Sequence, residues 1–277
     1  MDYKIAFMGA GNMGGALVRA VCTATSPGDV IIYDIDVEKC NALSTETGCS
    51  IAKSPVELVS SAKFIVYCVK PQKFAEAVAQ TSAMLLNSSE KGAEHIVVSI
   101  AAGLTIGTID GMFEERGLTI PIVRIMPNIN AAVGCGTLLT VCGETVGDAS
   151  CDELKLLLSK CGSVELTDES TLDLASAISG CGPAFVFMFI EALADGGVEI
   201  GLPRDKAIVY AAQMVSGAAQ MVLETGTHPG ALKDAVCSPA GTTIAGVAVL
   251  EQNAFRGSVA AAVKASSGRN TELTKGS

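Results

Sequence analysis

Hydrophobic positions in the first half of the chain form short continuous runs separated by segments that are compatible with helices. The runs at residues 4–8, 30–33, 64–69 and 95–100 are almost wholly apolar over four to six positions. This length and composition are typical of strands that are buried on both faces of a sheet. The alternation therefore predicts an α/β fold with a doubly wound parallel sheet.

The second half of the chain has a different pattern. Beyond residue 163 the sequence is rich in Ala, Gly, Met and Leu, and it predicts helices at residues 169–178, 183–200 and 204–225 and from residue 258. Because a single core rarely grows beyond about 250 to 300 residues, a chain of 277 residues is predicted to form two domains. We place an α/β domain at residues 1–163 and an all-helical domain at residues 164–277.

Small apolar residues recur along the predicted helices of the second domain, for example at Ala211 and Ala212 and at residues 260–262. Such faces let two helices approach closely, and their area exceeds what so few helices cover by themselves. We therefore predict that two copies of the chain interlock through this region as a homodimer. A self-contained helical bundle is the alternative.

A glycine-rich segment follows the first predicted strand and opens the first predicted helix. It consists of Gly9, Ala10, Gly11, Asn12, Met13 and Gly14. Between a strand and a helix, the G-x-G-x-x-G pattern is typical of a dinucleotide-binding turn. The first glycine permits the tight turn, the second admits a pyrophosphate, and the third lets the helix pack on the strand. The first domain is therefore predicted to be a Rossmann domain.

Asp34 lies 20 residues after Gly14, at the end of the second predicted strand. A carboxylate at this position can hydrogen-bond both hydroxyls of an adenosine ribose, whereas it would repel a 2'-phosphate. No Arg follows Asp34 closely. We therefore expect NADH or NADPH as the cofactor, with NADH favoured.

Two further strand ends fall at the same predicted edge of the sheet, which is where ligands bind in open α/β folds. Val69, Lys70 and Pro71 follow one strand. Lys70 is expected beside the cofactor's ribose or diphosphate, and a solvated lysine is the other interpretation. Ala101 and Ala102 follow the next strand, and their small side chains permit a nicotinamide ring to approach the backbone.

Near the C-terminus, small and hydroxyl-bearing residues lie just before an apolar segment that is compatible with a helix. They are Ser238, Pro239, Ala240, Gly241, Thr242 and Thr243. Free N–H groups at a helix start attract anions, and we expect a hydroxyl of this stretch to cap the helix. The stretch predicts a cradle for a small carboxylate, and an ordinary capped loop is the alternative.

Charge and cysteine usage bear on other classes of function. The net charge of -10 argues against a nucleic-acid surface, which needs concentrated Lys and Arg. The 10 cysteines contain no C-x-x-C pair and are expected to be free thiols. The two histidines have no neighbouring residues that could bind a metal with them, so no metal site is predicted. We find no secretory signal and no apolar run of membrane-spanning length, so we expect a cytoplasmic protein that does not enter a membrane.

Longer motifs connect these segments, and through them the chain resembles the pyrroline-5-carboxylate reductase family. The motifs are GAGNMG at residues 9–14, VKP at 69–71, AAG at 101–103, RIMPN at 124–128, GCGPAF at 180–185, EALADGGVEIGLPR at 191–204 and HPGALKDAVCSPAGTTIAGVAVLE at 228–251. The last motif is the family's hallmark, and the resemblance covers essentially the whole chain. The chain departs from the family's usual pattern at Pro55, Ile129, Asn130, Cys181 and Ala235.

The resemblance implies reduction of 1-pyrroline-5-carboxylate to L-proline, the last step of proline biosynthesis, by dimers that often assemble further into a decamer. The loop that holds the substrate carboxylate in the family is matched by Ser238, Gly241, Thr242 and Thr243. Thr243 also matches a hydroxyl near the ring nitrogen, and Glu169 matches an acid of the same site. Positions near the ribose and nicotinamide are matched by Lys70, Ala101 and Ala102.

A protonated cyclic imine is already electrophilic, so its reduction needs no strong acid. Thr243 is the candidate to hydrogen-bond the ring nitrogen. His228 is the rival, but we expect it to have a structural role near Pro229.

Two other functions stay open. A β-hydroxyacid dehydrogenase would need a lysine in the central helix, where residues 172–189 contain none, and a dinucleotide-sensing regulator would not need the carboxylate cradle.

Overall fold

The computed structural model describes residues 1–275 and contains an 8-stranded sheet with the strand order β3-β2-β1-β4-β5-β6-β7-β8. The strands are Tyr3–Met8 (β1), Val30–Tyr33 (β2), Ser50–Ile51 (β3), Ala62–Tyr67 (β4), Ile96–Ser99 (β5), Ile122–Met126 (β6), Gly136–Cys142 (β7) and Gly162–Leu166 (β8). Neighbouring strands from β3 through to β6 are parallel, and β6 pairs with β7 in the antiparallel sense. The predicted doubly wound sheet is confirmed, with the difference that β7 and β8 run against the other strands.

Helices follow most of the strands and then make up the remainder of the chain. They are Asn12–Ala24 (α1), Val37–Thr47 (α2), Pro55–Ser61 (α3), Pro71–Glu90 (α4), Ile106–Glu114 (α5), Asp148–Leu157 (α6), Glu169–Ser179 (α7), Gly182–Glu199 (α8), Arg204–Thr225 (α9), Pro229–Ala235 (α10), Thr242–Gln252 (α11) and Phe255–Lys275 (α12). The all-helical second half is confirmed.

Two hydrophobic cores lie on opposite faces of the sheet, because successive side chains of a strand point to opposite sides. In β1, Ile5 and Phe7 belong to the core that packs on α1, whereas Ala6 and Met8 belong to the core that packs on α4. Both faces are therefore covered. This is why the strands appear in the sequence as continuous apolar runs rather than as alternating ones.

The chain forms two compact units that differ from the predicted domains. The first consists of Met1–Gly180 together with the end of α12 from Ser267, and the second is Cys181–Ser266. The predicted boundary at residue 163 falls inside the first unit because β8 pairs with β7 and because Leu172 of α7 packs on Leu139. The functional division into residues 1–163 and 164–277 stays a prediction.

One pair of cysteines departs from the expected free thiols. Cys142 at the end of β7 and Cys151 in α6 form a disulfide, with Cα atoms 6.7 Å apart. The short turn at residues 143–147 folds α6 back against the end of β7 and brings the two side chains together. The prediction of free thiols is wrong for this pair, and the other cysteines are free in the structure.

The expectation that no uninterrupted apolar run reaches membrane-spanning length is not contradicted, but one helical segment passes a test of length and overall composition for a candidate span. This segment is Glu169–Glu199. Its most apolar 18-residue stretch has a mean hydropathy of 1.7, and 17% of that stretch is buried inside the structure. Length and composition alone are weak evidence, since helices that pack in a protein interior pass the same test.

A buried ion pair fastens α7 to the sheet. Arg124 lies in β6 with its side chain 1% exposed, and its guanidinium donates to Glu169 Oε1 at 2.9 Å and to Asp173 Oδ1 at 2.7 Å. The same Glu169 oxygen accepts a hydrogen bond from the N–H of Ile106 at 3.0 Å. A buried guanidinium needs such partners, because an unpaired charge in the interior is strongly destabilising.

Replacing Arg124 with Met is therefore expected to lower the free energy of unfolding by about 3 kcal/mol, since it removes the charge that compensates two carboxylates. Urea unfolding of the purified protein measures this change. The matched control is Arg19→Met, which removes an exposed guanidinium that donates to Glu46 at 2.7 Å and should cost less than about 1 kcal/mol. Equal losses in the two variants would contradict a structural role for Arg124.

Candidate functional site

The turn after β1 is possible only with glycine at its first position. Gly9 has φ +113°, and a Cβ atom there would lie 2.6 Å from the carbonyl oxygen of Cys68. Its N–H donates to the carbonyl of Tyr33 at 2.7 Å. Burial raises the pKa of the Cys68 thiol, so this side chain stays neutral beneath the turn. The ends of β1, β2 and β4 thus meet at one point.

The other two glycines of the turn have different surroundings. A Cβ atom on Gly14 would lie 2.2 Å from the carbonyl oxygen of Gly9, whereas a Cβ atom on Gly11 would meet nothing within 4 Å. Gly11 is the N-cap of α1 and makes no side-chain cap. The first-turn N–H groups of α1 therefore face open space, as an approaching pyrophosphate requires.

The carboxylate of Asp34 is fixed at the rim of this turn. Oδ2 accepts a hydrogen bond from the N–H of Ala10 at 2.7 Å, and Oδ1 accepts one from the N–H of Asp36 at 2.9 Å. Each carboxylate oxygen retains a further acceptor position. The side chain is thus held in place and can still accept bonds from a ligand's hydroxyl groups.

These groups line one cleft of about 480 Å³. Of the sequence-predicted cofactor residues, it contains Gly9, Gly11, Asn12, Met13, Gly14, Asp34, Val69 and Lys70. Ala10 lies behind it and bonds to Asp34. Three predicted residues do not line it: Pro71 is the first residue of α4, and Ala101 and Ala102 follow β5. The open Gly11, the uncapped helix and the fixed carboxylate fit a dinucleotide.

Sequence reasoning missed the far wall of the cleft, which is one face of α4. The residues are Lys73, Glu76, Ala77 and Gln80. They recur every three or four positions after Lys70, so the helical period is the signal that could have found them. Lys73 donates to Glu76 at 2.9 Å.

In the second unit, the predicted carboxylate loop is a tight turn that leads into α11. The N–H of Gly241 donates to the carbonyl of Ser238 at 3.0 Å. Ala240, at the third position of the turn, has φ 57°, a conformation that glycine usually occupies. A Cβ atom on Gly241 would lie 2.3 Å from Ser238 Oγ and 3.1 Å from the carbonyl oxygen of Ser238, so a larger residue there would push the Ser238 hydroxyl out of its present position.

The expectation that a hydroxyl caps this helix is wrong. The N-cap of α11 is Gly241, which has no side chain with which to cap, and Thr242 is the first helical residue. The N–H groups of the first turn therefore have no side-chain cap. Thr242 and Thr243 are exposed at this helix start.

Two further predicted residues have structural partners. His228 caps α10, where its Nδ1 accepts from the N–H of Gly230 at 3.0 Å, in agreement with the structural role expected for it. Glu169 belongs to the ion pair with Arg124, and its assignment to the substrate site stays a prediction. Among residues 1–275 the structure shows no group of three or more potential metal ligands.

Family models match both halves of the chain. Residues 4–103 match the model described as NADP oxidoreductase, coenzyme F420-dependent, and residues 169–273 match that of pyrroline-5-carboxylate reductase dimerisation. The fold and the cleft thus define a class, the oxidoreductases that bind a nicotinamide dinucleotide in a Rossmann unit. The chain belongs to the pyrroline-5-carboxylate reductase family, as its relatives show.

Two curated relatives match over nearly their full length. The pyrroline-5-carboxylate reductase of Escherichia coli is 39% identical over 99% of this chain and 100% of its own. That of Arabidopsis thaliana is 36% identical over 99% of this chain and 96% of its own.

Two solved structures agree with this assignment. The Plasmodium falciparum pyrroline carboxylate reductase with NADP bound superposes with a TM-score of 0.85 at 30% identity, covering 99% of this chain and 98% of that one. The pyrroline-5-carboxylate reductase from Coxiella burnetii gives a TM-score of 0.87 at 28% identity, covering 99% of each chain.

A Gly14→Ala variant is expected to weaken NADH binding at least about tenfold, because the new methyl group has to displace the backbone of Gly9. Fluorescence titration with NADH measures the affinity. Gly15→Ala is the matched control in the same helix, since its Cβ would lie 3.1 Å from the flexible end of Arg19 and at an ordinary contact distance of 3.7 Å from the carbonyl oxygen of Ala10. Equal affinities for the two variants would show that the Gly14 contact does not shape the cleft.

Proposed function

We propose that this chain catalyses the reduction of 1-pyrroline-5-carboxylate to L-proline, the last step of proline biosynthesis, with a nicotinamide dinucleotide as the reductant. The observation that carries the proposal is the 39% identity to the E. coli reductase along the whole of both chains. The cleft beside the glycine turn supports it, because a reductase of this class needs a dinucleotide site.

The substrate carboxylate is assigned to the start of α11. The first-turn N–H groups at Thr242 and Thr243 have no side-chain cap, and the positive end of the helix dipole favours an anion there. The Ser238 hydroxyl lies at the same turn and adds a donor. Gly241 contributes by its missing side chain, since a Cβ atom there would push the Ser238 hydroxyl out of its present position.

The imine end of the substrate is assigned to Thr243, whose hydroxyl oxygen accepts a hydrogen bond from the protonated ring nitrogen. When bound, the dinucleotide supplies a hydride. Because the protonated imine is already electrophilic, the protein's part is to hold the ring, exclude water and stabilise the nitrogen. Hydroxyl and backbone N–H groups suffice for this, and no strongly acidic side chain is required.

The cofactor is assigned to the cleft of the first unit, with NADH preferred over NADPH. The Asp34 carboxylate is held in place by the N–H of Ala10 and is suited to accept from two ribose hydroxyls. A 2'-phosphate would meet its negative charge. Lys39, the nearest cation along the chain, is paired with Asp36 at 3.2 Å. The remaining assigned contacts are Gly9, Ala10, Gly11, Asn12, Met13, Gly14, Val69, Lys70, Pro71, Ala101 and Ala102, and Glu169 is assigned to the substrate site.

A homodimer in the cytoplasm is proposed as the basic assembly, and a decamer built from such dimers is proposed as the larger one. Large apolar side chains of the second unit are exposed in the single chain, among them Ile200 at 83% and Leu223 at 82%. Covering this surface with a second copy removes it from water. Residues 169–273 match a dimerisation model. This match favours a second copy of the chain, rather than a membrane, as the partner of the apolar segment that begins at Glu169.

The role of Thr243 is tested by the rate of NADH oxidation with pyrroline-5-carboxylate. Thr243→Ala should lower kcat by about 10-fold to 100-fold, the usual loss for a hydrogen bond to a charged group, whereas Thr243→Ser should retain most of it. Full kcat in the alanine variant would remove Thr243 from the role. Oxidation of hydroxy acids would instead support a β-hydroxyacid dehydrogenase. NADH binding without turnover would support a dinucleotide-sensing regulator.

Cofactor preference is tested by comparing kcat/KM for NADH and NADPH. The unmodified protein should favour NADH by at least about tenfold, and Asp34→Ser should bring the ratio close to one by removing the repelling charge. Glu38→Gln is the control, since this carboxylate is exposed and does not line the cleft, and it should leave the ratio nearly unchanged. A large NADPH preference of the unmodified protein would contradict the assignment.

A further inference from the structure

The disulfide between Cys142 and Cys151 joins two elements that other contacts already hold together. In α6, which carries Cys151, Leu154 is 2% exposed and belongs to the core that also packs on α1. Glu153, in the same helix, accepts from Lys63 of β4 at 2.6 Å. Because neither contact involves a sulfur atom, α6 is expected to keep its place against the sheet when the disulfide is reduced.

The connection between the two cysteines is short and has hydrogen bonds of its own. The cysteines are 9 positions apart. The N–H of Gly143 donates to the carbonyl of Ile122 at 2.9 Å, and the N–H of Cys151 donates to the carbonyl of Gly147 at 3.1 Å. The backbone therefore holds the two side chains close together whether or not their sulfur atoms are bonded. Two groups held in this way react with each other far faster than groups on separate molecules do.

The two cysteines differ in their access to small molecules. Cys142 is half-buried and lines a cavity of about 420 Å³, together with Glu144 of the turn and with Ile106 and Asp110 of α5. Cys151 is 8% exposed and does not line this cavity. The cavity shares no lining residue with the cleft at the glycine turn. A small molecule that enters the cavity therefore meets Cys142 first.

We propose that Cys142 and Cys151 form a reversible redox site, at which a low-molecular-weight disulfide exchanges first with Cys142 through the cavity and Cys151 then closes the pair. The Cys142 thiolate attacks one sulfur of the small disulfide, and one small thiolate leaves. The Cys151 thiolate then attacks the sulfur of Cys142 and releases the second small thiol. In total the two protein thiols lose two electrons and two protons, and the small disulfide gains both.

The site links the redox state of its surroundings to a cross-link between α6 and β7. In the cytoplasm, the compartment proposed for this chain, thiols are kept reduced, and the disulfides that do form are usually transient. The pair is therefore expected to be open under reducing conditions and closed under oxidising ones. This exchange does not depend on the reductase activity and is measured without it.

The test treats the reduced full-length protein with oxidised glutathione and locates the products by mass spectrometry of its peptides. The unmodified protein should form the disulfide between Cys142 and Cys151. Cys151→Ser should accumulate a mixed disulfide with glutathione at Cys142. In Cys142→Ser, Cys151 should react at least about tenfold more slowly than Cys142 does in the other variant. The exposed thiol of Cys135 gives the reference rate in each protein.

A second measurement needs neither variant. Brief alkylation of the reduced, unmodified protein with iodoacetamide should label Cys142 before Cys151. Reduced glutathione should open the disulfide of the oxidised protein. The opened protein should keep its far-UV circular dichroism and should unfold at a temperature about 5 °C lower, because the cross-link no longer constrains the unfolded chain.

Three results would overturn the proposal. One is that oxidation leaves Cys142 and Cys151 unpaired. Another is that Cys151 reacts as fast as Cys142, which would remove the cavity as the route of exchange. The third is a disulfide that resists reduced glutathione, or a protein that unfolds once the disulfide opens, since either would make the cross-link a permanent part of the fold.

Discussion

The close contact between the turn at Gly9, the carbonyl of Cys68 and the first turn of α1 determines where the first unit can bind a ligand. No side chain fits at Gly9 or Gly14, since a Cβ atom would lie 2.6 Å or 2.2 Å from a carbonyl oxygen. This contact brings the ends of β1, β2 and β4 together and leaves the N–H groups at the start of α1 open. It also places the N–H of Ala10 where it holds Asp34.

Much of this arrangement could be predicted from the sequence because it depends on local rules. Runs of apolar residues predict strands covered on both faces, and the order of strand, glycines and helix predicts the turn. The predicted helix at residues 204–225 has the bounds of α9, Arg204–Thr225. Its end is marked by Gly226, which has φ 61° and stops the helix in a left-handed conformation.

Features that depend on contacts between distant residues could not be predicted in this way. Arg124 and Glu169 are 45 positions apart, so nothing local indicates that α7 is fastened to β6 within the first unit. The pairing of Cys142 with Cys151 and the addition of β8 to the sheet likewise depend on how the chain returns after β7. The α4 wall of the cleft could be predicted only in part. Its helical period can be read from the sequence, whereas its position beside the glycine turn cannot.

Hydride transfer to the cyclic imine is the central claim, and isotope transfer tests it most directly. The purified protein is supplied with pyrroline-5-carboxylate and with NADH carrying deuterium at both C4 positions, and the product is analysed by mass spectrometry. We predict L-proline with one deuterium at C5. Unlabelled proline, or the absence of proline while NADH binds, would contradict the claim.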